Sequence, residues 1–304
     1  MEPSELKYLF YWAVGPVVIL LAYIYLRDRY HKEPLGLLAK IFFLGFVSAY
    51  PIVIVENFIA EFIDLIPFPA LHAIAVGFIG AAIPEEFAKL YILKHWIWDN
   101  REFDEHYDGI VYAVFVSLGF ACIENLMYVF GGLNSGVDTA QNIAYTRAIF
   151  SIPCHALCGV MMGYFFSLAK FERVNNKKYL SYALWVPVLF HGSYDAVLFL
   201  RDIEGMNEGV LGLLYLMFLA INVCLWVCSI KRIRHLASLL VPEGQEENAL
   251  KVCAQCGNVY ASNLKRCPNC KSKIIQVYES EPLQDPNLVI QTWESFETGE
   301  EHEE

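Results

Sequence analysis

The chain has 304 residues, of which 56% are apolar, 15% aromatic and only 18% charged, with a mean hydropathy of +0.39. Soluble domains run nearer roughly 45–50% apolar and about 25% charged, so the composition excludes an ordinary soluble globule and a chain disordered throughout. The formal net charge of −11 speaks against nucleic acid as a partner, which needs a basic footprint, and nine Cys in so long a chain are too few for a disulfide-rich secreted scaffold.

The apolar residues fall into seven long blocks, at about 8–26, 35–60, 70–93, 109–131, 147–169, 179–200 and 209–230. Each is close to or above the ~20 residues that cross a bilayer as a helix. The connectors after the first, third, fifth and seventh blocks hold twelve Lys and Arg, among them Arg27, Arg29, Lys94, Lys170, Lys177 and Arg232. The other side holds only Lys7, Arg147 and Arg201. The positive-inside rule then puts the N-terminus outside and the C-terminus inside. The expected fold is an all-α polytopic membrane protein with seven transmembrane helices, N-out and C-in, over residues 1–234. Its first block reads as an uncleaved anchor, because its positive charges follow the apolar run.

Beyond residue 234 the composition changes. The last 70 residues hold twelve Asp and Glu against five Lys and Arg, and no spanning block. Within them, Cys253-x2-Cys256 and Cys267-x2-Cys270 are spaced as two knuckles of a four-thiolate zinc site. Residues 235–278 are therefore expected to form a cytoplasmic zinc ribbon with its linker, carrying structural Zn2+ and available to a protein partner. Residues 279–304 read as an acidic, flexible tail. The pairs Cys154/Cys158 and Cys224/Cys228, at i,i+4 within spans, read as packing residues.

Ionisable residues at bilayer depth are costly, so each is a functional candidate. The third block carries Pro84-Glu85-Glu86 and, one turn on, Lys89, which can pair with either carboxylate. The fourth carries Glu124-Asn125, the fifth His155 two residues after Pro153, and the sixth His191 and Asp195 at i,i+4. The topology brings these groups to similar depths on four helices. Glu56, Asn57 and Asp64 read instead as interfacial. Two carboxylates and two imidazoles, with no convincing Ser or Cys nucleophile, suggest hydrolysis by activated water. One Glu serves as general base, His155 and His191 donate to the oxyanion, and Asp195 orients His191. Ser151 and Ser193 lie in no nucleophile elbow. A zinc ion on His155, His191 and a carboxylate is the competing enzyme reading, ranked lower because no H-E-x-x-H helix occurs. A transporter or receptor using Glu and His as a proton relay is the main non-enzymatic rival, though no repeated halves are visible.

These residues resemble a known family. Pro84-Glu85-Glu86-Phe87-Ala88-Lys89 is similar to the E-E-x-x-K motif of the PrsW-type intramembrane proteases. Asp108-Gly109-Ile110-Val111-Tyr112 with Glu124-Asn125, Arg147 with Pro153 and His155, and His191 with Asp195 are similar to its later blocks. The resemblance covers about residues 8–230. It extends to the type II CaaX prenyl endopeptidases and Abi/CPBP proteins, which carry E-E-x-x-x-R instead. It implies a glutamic-type endopeptidase of the cell membrane with Glu85, Glu86, His155 and His191 as catalytic residues, and Lys89, Glu124, Asn125 and Asp195 in support. No metal is expected in that site. Implied substrates are membrane-tethered regulators such as anti-sigma factors. An inactive PrsW-like scaffold is the alternative within the family.

Overall fold

The structure is a computed structural model and describes residues 3–28, 32–172, 175–239, 250–253, 259–261 and 269–270. The chain divides into two units, Met1–Glu247 and Asn248–Glu304.

The first unit is helical. Among its described residues, seven segments are long and apolar enough to cross a membrane: Ser4–Arg27, Leu35–Ile63, Pro69–Trp96, Asp108–Ser135, Val137–Phe171, Asn176–Arg201 and Glu208–Ala237. They match the seven blocks of the sequence. At about 1.5 Å rise per residue even the shortest exceeds the ~30 Å hydrocarbon core. A helix also satisfies its backbone hydrogen bonds within itself, as a bilayer demands. The fifth segment begins ten residues before its apolar block. Its first part, α6 (Val137–Thr146), buries Ala140 and Ala144 against Leu9, Ala13 and Val129 and carries polar residues elsewhere. A block defined by continuous apolarity misses such a helix.

Two helices form the hub, α5 (Asp108–Gly131) and α7 (Ile152–Phe171). In their spans 78% of the most apolar window is buried inside the protein. For α1 (Pro3–Arg27), α2 (Leu35–Ile63) and α9 (Glu208–Ala237) the share is 22%, 22% and 17%. The hub helices touch backbone to backbone. A Cβ on Gly163 would lie 2.2 Å from the Gly109 carbonyl oxygen, which no side chain could tolerate. Such small-residue contacts let helices approach where no hydrophobic drive joins them.

The third span is broken into α3 (Pro69–Ala75), a π-helical turn at Val76–Ala82 and α4 (Ile83–Trp96). Pro84 has no N–H to return to the Gly80 carbonyl, and the turn widens just before it. A second π-helical turn, Arg147–Ser151, precedes Pro153 at the start of α7 in the same way. π turns are rare and frequently mark functional sites. Gly77, in the first of them, packs against α8 (Asn176–Arg201), where a Cβ would lie 2.6 Å from the Ala196 nitrogen and 3.1 Å from the Gly192 carbonyl oxygen. This contact draws His191 and Asp195 towards the start of α4.

At the N-terminal end of α5, Asp108 accepts hydrogen bonds from the backbone nitrogens of Asp104 (3.2 Å) and Glu105 (2.6 Å). Beside it, in the connector between α1 and α2, the buried Glu33 accepts from the Tyr112 hydroxyl. Burial, reinforced by Asp108, Asp28 and Asp104, raises the Glu33 carboxyl from 4.5 to about 10. The folded state holds this proton after the unfolded chain has lost it, so stability falls as pH rises from about 5 towards 10. Glu33→Gln is expected to flatten this dependence, with the variant gaining on wild type in thermal unfolding at pH 9 relative to pH 5. Parallel curves would remove the role given to Glu33.

The second unit carries a short antiparallel hairpin, β1 (Leu250–Val252) and β2 (Val259–Ala261), with Lys251 opposite Tyr260. Cys253 follows β1 directly, and its Sγ lies 3.5 Å from that of Cys270. Cys256, Cys267 and the acidic stretch 279–304 lie outside the described residues.

Candidate active site

Lys89 is the centre of the site. Its side chain is wholly buried, and its ammonium reaches Glu86 Oε1 at 2.7 Å, Glu85 Oε2 at 3.2 Å and His155 Nδ1 at 3.3 Å. The i,i+3 and i,i+4 spacing on α4 puts both carboxylates within reach of the ammonium. Nζ also lies 4.7 Å from the centre of the Phe120 ring, an added cation–π attraction. Three acceptors thus meet an ammonium with three donors.

Each imidazole is backed by a carboxylate from its own side. His191 sits between Glu86, at 2.9 Å from Nδ1, and Asp195, at 3.3 Å from Nε2. His155 presents Nε2 to Glu124 Oε2 at 2.9 Å and Nδ1 to Lys89. The two rings meet edge to face with centroids 4.8 Å apart. Arg147 closes the network, with Nη2 2.9 Å from Glu124 Oε2 and its guanidinium 4.2 Å from the centre of the Tyr128 ring. Asn125 stands behind. It accepts from Arg147 Nε at 2.8 Å and donates to the Ala13 carbonyl at 2.8 Å, tying the network to α1.

A cavity of about 510 Å³ opens beside this network. Glu85, Glu124, His155, His191 and Asp195 line it. Glu86 and Lys89 lie behind the wall at 0% exposure, whereas Glu85 keeps 4%. The two adjacent glutamates are therefore not equivalent, and only Glu85 faces the space where a substrate could enter.

All eight residues singled out in the membrane part are thus brought together, Asn125 at one remove. Two neighbours join the site beyond those eight. Arg147, counted in the sequence among the outer-side charges and matched with Pro153 and His155 to a family block, lies in the π-helical turn of the fifth span and reaches Glu124. Glu56, read as interfacial, lines the cavity with Ala49 and Val53 from the same helix. The spacing of Ala49, Val53 and Glu56 marks one helical face, and that signal was available in the sequence. Ser151 lines the cavity as well. Among the described residues neither Ser151 nor Ser193 is hydrogen-bonded to an imidazole.

One oxygen or nitrogen each from Glu85, Glu86, His155 and His191 lie within 4.8 Å of one another. By type these four could hold a metal ion. An ion on them would sit about 2.0–2.2 Å from each ligand, and the Lys89 ammonium, already held by one atom on three of the four, would compete with it for them.

Buried acids and imidazoles gathered beside a cavity in a seven-span bundle are the arrangement of an intramembrane enzyme. The chain belongs to the PrsW family: the family model described as "PrsW family intramembrane metalloprotease" matches residues 33–225. It is similar to Protease PrsW of Geobacillus kaustophilus (strain HTA426), 38% identical over 197 residues, covering 65% of this chain and 82% of the relative. It is 39% identical to Protease PrsW of Bacillus subtilis (strain 168) over 186 residues, 61% of this chain and 80% of the relative. Protease PrsW of Oceanobacillus iheyensis is 35% identical over 221 residues, 73% of this chain and 92% of the relative. No solved structure matches. The chain is accordingly a multi-pass intramembrane protease. The expectation of a metal-free catalytic site stands against the family description, which implies a metal there.

Proposed function

We propose that the chain is a glutamic-type endopeptidase that cleaves membrane-tethered proteins with a water activated by Glu85. The observation that carries this reading is Lys89, whose ammonium is seated among Glu85, Glu86 and His155 while Glu85 alone of the two glutamates opens to the cavity. Glu85 takes a proton from a water in the cavity, and the water oxygen bonds to the peptide carbonyl carbon as the carbonyl electron pair moves onto oxygen. His155 and His191 each turn an N–H from its carboxylate, Glu124 or Asp195, to the oxyanion as the charge on it develops. Glu85 then passes its proton to the leaving nitrogen as the C–N bond breaks. Glu86 and Lys89 keep the base and the rings in register.

The Lys and Arg bias supports an N-out, C-in orientation in the cell membrane. Tethered regulators of the anti-sigma-factor kind are the substrates we infer. For the tail, residues 235–278, we infer a cytoplasmic zinc ribbon on Cys253, Cys256, Cys267 and Cys270 that is available to a protein partner. Sulfurs on one zinc stand about 3.8 Å apart when each Zn–S bond is ~2.3 Å, close to the 3.5 Å between Cys253 and Cys270.

A metal-dependent reading has its own observation, the four converging donors, and one experiment separates the two. A single zinc is expected in the purified chain, lost in the Cys253→Ser/Cys270→Ser double variant and unchanged by His155→Ala/His191→Ala. The double Cys variant is expected to keep cleaving a reconstituted substrate after dialysis against a strong chelator. Loss of cleavage on chelation, restored by added metal, would assign the chemistry to a metal ion.

A further inference from the structure

Five carboxylates, Glu56, Glu85, Glu86, Glu124 and Asp195, share the site with two fixed cations, Lys89 and Arg147. Four of the five are committed. Lys89 holds Glu85 and Glu86, Arg147 and His155 hold Glu124, and His191 holds Asp195. Glu56 has no hydrogen bond or ion pair among the described residues. It lies seven residues before the end of α2, about 10 Å of helix rise, on the cavity wall that α2 supplies. Its helix neighbours on that wall, Ala49 and Val53, are apolar. Arg201 and Asp202, adjacent in the chain and opposite in charge, also line the cavity.

An ionisable side chain at bilayer depth with no partner is costly, and a cation brought by a ligand relieves that cost. A like charge brought to the same place raises it. Resting on the proteolytic reading above, we propose that Glu56 is a specificity-determining residue of this protease. It takes a basic side chain, Lys or Arg, that lies near the scissile peptide in the substrate, and it rejects an acidic one.

The test uses a set of tethered substrates that differ at single positions on either side of the cleaved bond, carrying Lys, Gln or Glu. In proteoliposomes the full-length protein is expected to cleave the Lys form at least about 10-fold faster than the Glu form at one of these positions. Glu56→Gln should level the ratio and Glu56→Lys should invert it. A uniform fall in all three substrates, or an unchanged ratio, overturns the proposal, because a positioning role for Glu56 predicts the first and no role predicts the second.

Recognition is read separately from chemistry in a Glu85→Gln background, with a photo-cross-linking side chain at Val53. Capture of the Lys substrate is expected to exceed that of the Glu substrate, and the excess should vanish with Glu56→Gln. Equal capture of both overturns the Glu56 proposal alone. A Glu85→Gln protein that still cleaves overturns the glutamic mechanism and leaves the capture result to decide on Glu56.

Discussion

Replacing Glu85 by Gln is expected to lower cleavage of a reconstituted tethered substrate by about 10³-fold, within the roughly 10²–10⁴ that general bases supply. The amide keeps the volume and can still face Lys89, so the fold should persist, but it cannot take a proton from water. Glu86→Gln should also be severe, for a different reason. Glu86 is the nearest partner of Lys89, at 2.7 Å, and holds His191 Nδ1 at 2.9 Å, so its loss disturbs an imidazole and the lysine together. Glu85→Asp is expected to retain more activity than Glu85→Gln, because a carboxylate remains on the cavity side. Product bands at fixed enzyme concentration measure all three. Cleavage by Glu85→Gln at a tenth or more of the wild-type rate would remove Glu85 from the role of base.

Lys89→Met is expected to have the second large effect, on stability and activity together. Methionine roughly matches the stem of the lysine but leaves both Glu85 and Glu86 without the cation they share. Removing one partner of a buried ion pair typically costs about 3–5 kcal/mol, because the remaining charge is left uncompensated. The expected readout is a clear fall in the thermal midpoint of the detergent-solubilised protein and no detectable cleavage. The same variant also vacates the centre of the donor cluster. A metal enzyme with that space cleared should tighten its hold on the ion and keep working. A glutamic enzyme should stay inactive with or without added zinc.

The sequence carried the architecture because each span is continuous in the chain. Length and apolarity alone mark all seven segments. The polar residues inside them stand out against an apolar background, which is why Glu85, Lys89, His155 and His191 could be picked without any contact information. What linear reading left out depends on shape. Depth along the chain reads Glu56 as interfacial, and the face it shares with Ala49 and Val53 is what adds it to the cavity wall. Arg147 reads as a loop cation because the apolar block starts there, yet the amphipathic α6 extends the helix before it. The inequality of Glu85 and Glu86 is invisible in sequence, since neighbours on a helix differ only in the direction they point.

The hub formed by α5 and α7 has a consequence for how the chain tolerates change. On α1, α2 and α9 many apolar side chains, such as Ile19, Phe43 and Leu216, are exposed and meet lipid, which has no fixed shape, so exchange among Leu, Ile, Val and Phe at those positions should pass nearly unnoticed. On α5 and α7 the same exchanges meet packed protein, where one added methylene is felt, and at Gly109 and Gly163 there is no room for even a methyl group. Two helices that hydropathy cannot tell from the others therefore set the volume limits along most of their length, while elsewhere the limits are local, as at Gly45 against Val116 and Gly77 against Ala196. A saturation library scored for membrane accumulation should show narrow size limits at the hub and loose ones at the periphery.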